Sequence, residues 1–131
     1  MREKPLILIV DDEPDFLEII SMKLKSAGFD LIAAHNAKEA VDAANKLHPD
    51  LILMDVHMPG ETGTDAALEI KQNVGTSDIK IAFLSNMKDP WPQTPMPRDS
   101  LAKDMGMEDF LDKTSDLTML VDKIKELLKS G

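Results

Sequence analysis

The sequence has no cysteine. Disulfides and thiolate metal sites are therefore excluded, in keeping with a reducing compartment. It also has no long apolar run: the aliphatic stretch nearest the N-terminus, Leu6 to Val10, is too short for a signal-peptide core or a bilayer span. Neither export nor membrane insertion is expected, and the cytoplasm is the expected location. Positive charge is scarce as well. The formal net charge is -9, and the 15 Lys and Arg residues are scattered rather than gathered into a basic arm. Non-specific affinity for nucleic acid comes mainly from clustered Lys and Arg, so direct nucleic-acid binding by this chain is not expected. No Gly-rich loop follows the first predicted strand, where Asp11-Asp12-Glu13-Pro14 would repel a phosphate, and this argues against a flavin or nucleotide binder.

What is present fits one soluble globular domain spanning residues 1–131 with no output domain. At 131 residues, with 43% hydrophobic and 30% charged residues, the chain can bury one core, and it carries no repeat or low-complexity tract.

Leu6 to Val10 reads as a parallel strand buried on both faces. A helix follows. Pro14 suits its first turn, Phe16, Ile19, Ile20, Leu24 and Ala27 recur at helical spacing, and Gly28 supplies a left-handed stop. Phe29 to Ala34 reads as a second strand. Asn36 then caps a helix with Glu39 placed as in a capping box, and its inward stripe is Ala40, Val41, Ala44 and Leu47. Leu51 to Met54 forms a third buried strand ending at Asp55, followed by a turn-rich stretch, Met58 to Gly63, and a helix carrying Ala67 and Ile70.

Ile79 to Leu84 is the fourth predicted strand. Between Asn86 and Pro97, Pro90, Pro92, Pro95 and Pro97 forbid a regular helix, and Trp91 stands among them. A short helix is expected from about Ser100 to Met105, then a brief strand at Phe110 and Leu111. A last helix, capped by Ser115, carries Leu117, Leu120, Val121, Ile124 and Leu128 on one face. Five strand-helix repeats with right-handed crossovers imply an α/β fold, a five-stranded parallel sheet with helices on both faces.

In such a sheet, ligands sit beyond the carboxyl ends of the strands. Those ends carry Asp11 and Asp12, Asp55, Ser85 and Lys113. Three converging carboxylates repel by about 4 kcal/mol per pair at an effective dielectric of 20. A hard cation such as Mg²⁺ resolves the conflict, and it also favours a phosphate oxygen in its shell. Phosphoryl transfer needs an in-line nucleophile and cations on the equatorial oxygens. Asp55 is the candidate nucleophile, Lys113 the candidate charge on the acyl phosphate, and Ser85 the candidate hydroxyl donor. The three histidines, His35, His48 and His57, show no metal-ligand spacing and are expected at the surface or in loops.

Ile-Leu-Ile-Val-Asp-Asp-Glu (7 to 13), Asp-Val-His-Met-Pro-Gly (55 to 60), Leu-Ser (84, 85) and Phe-Leu-Asp-Lys (110 to 113) together resemble the response-regulator receiver domain of two-component signalling, over nearly the whole chain. The resemblance implies the (βα)5 flavodoxin-like receiver fold and a regulatory phosphoacceptor rather than an enzyme, one that assists its own phosphotransfer and autodephosphorylation. It implies Mg²⁺ held directly by Asp12 and Asp55 and by the backbone carbonyl of His57, with Asp11 acting through water. Ser85 and Phe110 are implied as a switch pair. The implied donor is a histidine kinase or histidine phosphotransfer protein, the output passes to a further protein, and a phosphorylation-dependent dimer is compatible with the family. The sequence departs from the family pattern at Thr114, where proline is usual, at Asn86, where a small residue is common, and in a long interval from Ser85 to Lys113. Two rival readings are a receiver-like docking module that is not phosphorylated, and a Mg²⁺-dependent phosphatase of the haloacid-dehalogenase type. The phosphatase reading is opposed by His57, which stands where those enzymes have a second aspartate.

Overall fold

A computed structural model describes residues 4–55, 63–85, 109–112 and 116–129. Within them the chain runs β1 (Leu6–Val10), α1 (Pro14–Ser26), β2 (Asp30–Ala34), α2 (Ala37–Leu47), β3 (Leu51–Asp55), α3 (Gly63–Gln72), β4 (Lys80–Ser85), β5 (Asp109–Asp112) and α4 (Leu117–Lys129). All strand pairings are parallel, in the order β2-β1-β3-β4-β5. The chain leaves β1 toward one edge and returns on the other side as β3. A crevice therefore opens beyond the carboxyl ends of these two strands.

Alternate residues of each buried strand serve opposite faces, because side chains repeat every second position. Leu8, Val10, Ile52, Met54, Ile81 and Phe83 meet the small stripe Ala37, Ala40 and Ala44 of α2 and Ala66, Ala67 and Ile70 of α3. On the other face Ile7, Ile9, Leu51, Leu53, Ala82 and Leu84 meet Leu17, Ile20 and Leu24 of α1 and Leu120, Val121 and Ile124 of α4. Each fully buried aliphatic or aromatic side chain contributes about 1.5–3 kcal/mol relative to exposure. This two-faced burial explains why β1 and β3 read as unbroken apolar runs.

The helix ends follow their local chemistry. Helix α1 starts at Pro14, with Asp15 in its first turn and Lys23 and Lys25 in its last, matching the helix dipole. It ends in a Schellman motif. Gly28 adopts φ +97°, its N–H donates to Lys25 O, and the Phe29 N–H reaches back to Leu24 O. Phe29 thus belongs to this cap, and β2 begins one residue after the expected start. At α2, Asn36 Oδ1 accepts from the Glu39 N–H at 2.9 Å, the expected half of the capping box. The returning Glu39 carboxylate accepts from the His35 N–H rather than from that of Asn36. At α4 the capping acceptor is Asp116, whose Oδ1 takes the Thr118 N–H at 2.7 Å. Ser115, the expected cap, lies outside the described residues.

Two side chains leave their expected places. Ile19, expected on the inward stripe of α1, is 52% exposed, while Leu17 is buried instead. Ile19 lies two residues from Leu17, about 200° around the helix, and so faces away from the sheet. Leu47, expected to continue the stripe of α2, is 42% exposed in the final turn. The expected helix at 100–105, the Pro-rich segment at 86–97 with Trp91, and the Lys113-Thr114 peptide lie outside the described residues. Among the described residues no helix is long and apolar enough to cross a membrane.

Candidate functional site

Asp11 is the first residue past β1, yet its N–H still donates to Ala34 O of β2 at 3.1 Å, so the sheet holds its backbone. Its side chain is fully buried. Asp11 Oδ1 accepts from the Glu13 N–H at 2.9 Å, closing a tight turn that carries Asp12 outward and leads into α1. Asp55 ends β3 and is 3% exposed. Val10 pairs with Met54 in the β1-β3 ladder, so Asp11 and Asp55 both stand one step beyond that pair.

The ligand atoms of Asp11, Asp12, Glu13 and Asp55 lie within 4.8 Å of one another. Three of these four residues are the acidic candidates read from the sequence, brought together as expected. Glu13 is the addition. Its signal in the sequence is its place directly after the aspartate pair at a strand end.

Carboxylates this close repel one another, and a cation among them relieves that repulsion. For the buried Asp11 and Asp55 the repulsion is about 3 kcal/mol at an effective dielectric of 20, and water screens the exposed Asp12 and Glu13 more strongly. An all-oxygen, all-carboxylate donor set suits a hard divalent cation such as Mg²⁺ or Ca²⁺ rather than a softer transition metal. The residues therefore fit the ion that the sequence calls for.

The remaining candidates divide by position. Ser85 is the last residue of β4 and pairs with Asp112 of β5, while Asp55 pairs with Leu84. The backbone register thus brings Ser85 to the same sheet edge as Asp55. Phe110 lies in β5 opposite Phe83. His57 and Lys113 lie outside the described residues.

His35 and His48 are exposed, as expected, and each is paired with a carboxylate rather than with this cluster. His35 Nδ1 meets Glu39 Oε1 at 3.2 Å, and His48 Nε2 meets Asp78 Oδ1 at 2.9 Å. The hydrogen bond from His35 holds the Glu39 carboxyl below its ordinary range, and the bond from His48 does the same to Asp78.

Comparison with known proteins agrees with this geometry. Residues 7–125 match the family model of the response regulator receiver domain. The chain is 31% identical over 125 residues to the phosphate regulon transcriptional regulatory protein PhoB of Pseudomonas aeruginosa, covering 94% of this chain and 51% of that protein. It is 28% identical over 126 residues to the DNA-binding dual master transcriptional regulator RpaA of Synechocystis, covering 95% of this chain and 49% of that protein. The chain thus spans about half the length of these curated relatives. Their names describe transcriptional regulators, one of them DNA-binding, so the expectation of no nucleic-acid contact concerns only the residues present here. A response regulator from Chloroflexus aurantiacus superposes with a TM-score of 0.83 at 26% identity, covering 96% of this chain and 98% of that one. These likenesses do not favour the phosphatase or docking-module readings. The fold, the strand-end carboxylates and the family match together place this chain in the response regulator receiver domain family of two-component signalling.

Proposed function

We propose that Asp55 is the phosphoacceptor of this receiver and that the chain acts in the cytoplasm as one phosphorylation-switched unit. The observation that carries the reading is the burial of Asp55 at the end of β3, with Asp11, Asp12 and Glu13 ligand atoms within 4.8 Å. A carboxylate this enclosed by like charge has a chemical use as a cation-assisted nucleophile. One Asp55 oxygen attacks phosphorus, an O–P bond forms, and the P–N bond to a histidine of a kinase or phosphotransfer protein breaks. The imidazole leaves with the bond's electron pair and takes up a proton.

Asp12 and Asp55 would hold Mg²⁺ directly, together with the His57 carbonyl, and Asp11 would do so through water. When bound, Mg²⁺ supplies positive charge to the phosphoryl oxygens. Asp11 keeps the acidic turn in place through its bond to Glu13. Lys113 adds a point charge to the acyl phosphate and Ser85 a hydroxyl donor, so the chain assists its own phosphorylation and hydrolysis without turning over an external substrate. Movement of Ser85 toward the phosphoryl group, followed by Phe110, would alter the face offered to a downstream protein or to a second copy.

Beryllofluoride binding tests this reading, because that anion with Mg²⁺ mimics the acyl phosphate. The wild-type chain should bind it and change its amide spectrum, while Lys113→Ala should bind it more weakly with the fold retained. Equal binding and an equal conformational response in Lys113→Ala would contradict the role given to the lysine.

A further inference from the structure

We propose, beyond the phosphoacceptor reading and independently of it, that the outer face of α1 docks a second copy of this chain. The two copies of α1 run antiparallel about a two-fold axis that passes between Ile19 and Met22.

Helix α1 carries two stripes. Leu17, Ile20 and Leu24 are buried against the sheet. Asp15, Ile19, Met22 and Ser26 follow one another at spacings of four, three and four residues, which lines them up on the opposite side of the helix. All four are exposed. Ile19 and Met22 are 52% and 65% exposed, so two of the five exposed large apolar side chains among the described residues sit one turn apart in mid-helix. Beside them a shallow groove runs between α1 and the start of α4, lined by Ile19, Met22, Lys23, Ser26 and Leu117. Scattered apolar residues on a surface are ordinary, whereas adjoining ones on a groove mark a contact surface.

The charges around the apolar pair decide what covers it. Asp15 and Glu18 precede Ile19, and Lys23 and Lys25 follow Met22. The helix dipole accounts for acid at the start and base at the end, but not for the open apolar centre between them. Among the described residues none of these four charges takes part in an ion pair.

Turned end for end, this run of residues is its own complement. The two-fold axis sets Ile19 against Met22 of the second copy and Met22 against its Ile19, as an isologous contact requires. Glu18 and Lys25 are seven residues apart and so share one flank of the stripe. In the antiparallel pair Lys25 comes beside Asp15 and Glu18 of the other copy, and each such contact is made twice. A parallel copy would bring Glu18 level with Glu18 and Lys25 level with Lys25. An acidic half followed by a basic half is thus answered by the same run reversed, which is why a second copy fits this face. The net charge of -9 opposes non-specific self-association, so the copies meet only where opposite charges are brought face to face.

Sedimentation velocity of the full chain, without metal or phosphoryl donor, tests this from about 10 μM to 1 mM, a range suited to a small, transient interface. The wild-type chain should pass from monomer to dimer across it. Glu18→Lys and Lys25→Glu should each raise the dissociation constant about tenfold or more, because a like-charge contact then occurs twice. An equimolar mixture of the two variants should dimerise again, since a chain with lysine at both positions meets one with glutamate at both. Misfolded chains would not recover in this way. A wild-type chain that stays monomeric at the top of the range would overturn the inference, and α1 amide signals that move only when a kinase's histidine-bearing domain is added would give the face to the phosphoryl donor instead. A dimer that both single variants keep at wild-type strength, or a mixture no stronger than either variant alone, would overturn it as well.

Discussion

Asp11 Oδ1 and the Glu13 N–H are joined by a 2.9 Å hydrogen bond, which ties the acidic turn after β1 to the first turn of α1. Asp11 therefore has two duties, a charge in the pocket and an acceptor for the backbone. Asp11→Asn and Asp11→Ala both remove the charge, but only asparagine keeps an acceptor for the Glu13 N–H. The asparagine variant should be more stable than the alanine variant by about 1 kcal/mol in urea unfolding. Equal stabilities would mean that the bond contributes nothing to the fold.

Gly28 adopts φ +97°, and a Cβ built there meets nothing within 4 Å. Gly28→Ala should thus be penalised by backbone strain alone, about 1–2 kcal/mol, seen as a lower melting temperature with the fold unchanged. A neutral substitution would show that the Schellman turn relaxes at no cost.

The His48 ring, bonded to Asp78 at 2.9 Å, holds that carboxyl below its ordinary range, with a smaller pull from Lys71. A carboxyl lowered in the folded state adds stability above its unfolded value, and that stability is lost as pH falls through the folded value. Wild type should therefore exceed Asp78→Asn slightly in melting temperature above about pH 4. The two should converge as the solution is made more acid. A gap that widens on acidification would contradict the assignment.

Much of this architecture was legible in the sequence. β1 and β3 are covered on both faces and so appear as unbroken aliphatic runs, and the Asn36 cap follows from its three-residue spacing to Glu39. The misplacements have physical causes. Counting helix α1 from Phe16 brought Ile19 inward, whereas the stripe that meets the sheet runs through Leu17, Ile20 and Leu24. Leu47 has the right period, but it falls in the last turn before His48 leaves the helix in a left-handed conformation. In the pocket, Asp11, Asp12 and Asp55 were legible because they stand at or directly after the carboxyl ends of apolar strands. Glu13 was not, because its place beside them depends on which way an N-cap side chain turns.

Asn36 offers a separate check on the capping chemistry. Its Oδ1 receives the Glu39 N–H at 2.9 Å, and Asn36→Ala should lower stability by about 1 kcal/mol. Thermal unfolding monitored by circular dichroism would measure it, and an unchanged midpoint would assign the start of α2 to packing alone.

The central claim is that Asp55 accepts a phosphoryl group with help from a divalent cation. Intact-mass spectrometry and peptide mapping after incubation with acetyl phosphate and Mg²⁺ test it most directly, since no partner protein is needed. One added phosphoryl group on Asp55 is expected, absent after chelation and absent in Asp55→Asn. An Asp55→Asn protein that gains a Mg²⁺-dependent phosphoryl group in unchanged yield, or a wild-type chain that gains none, would contradict it.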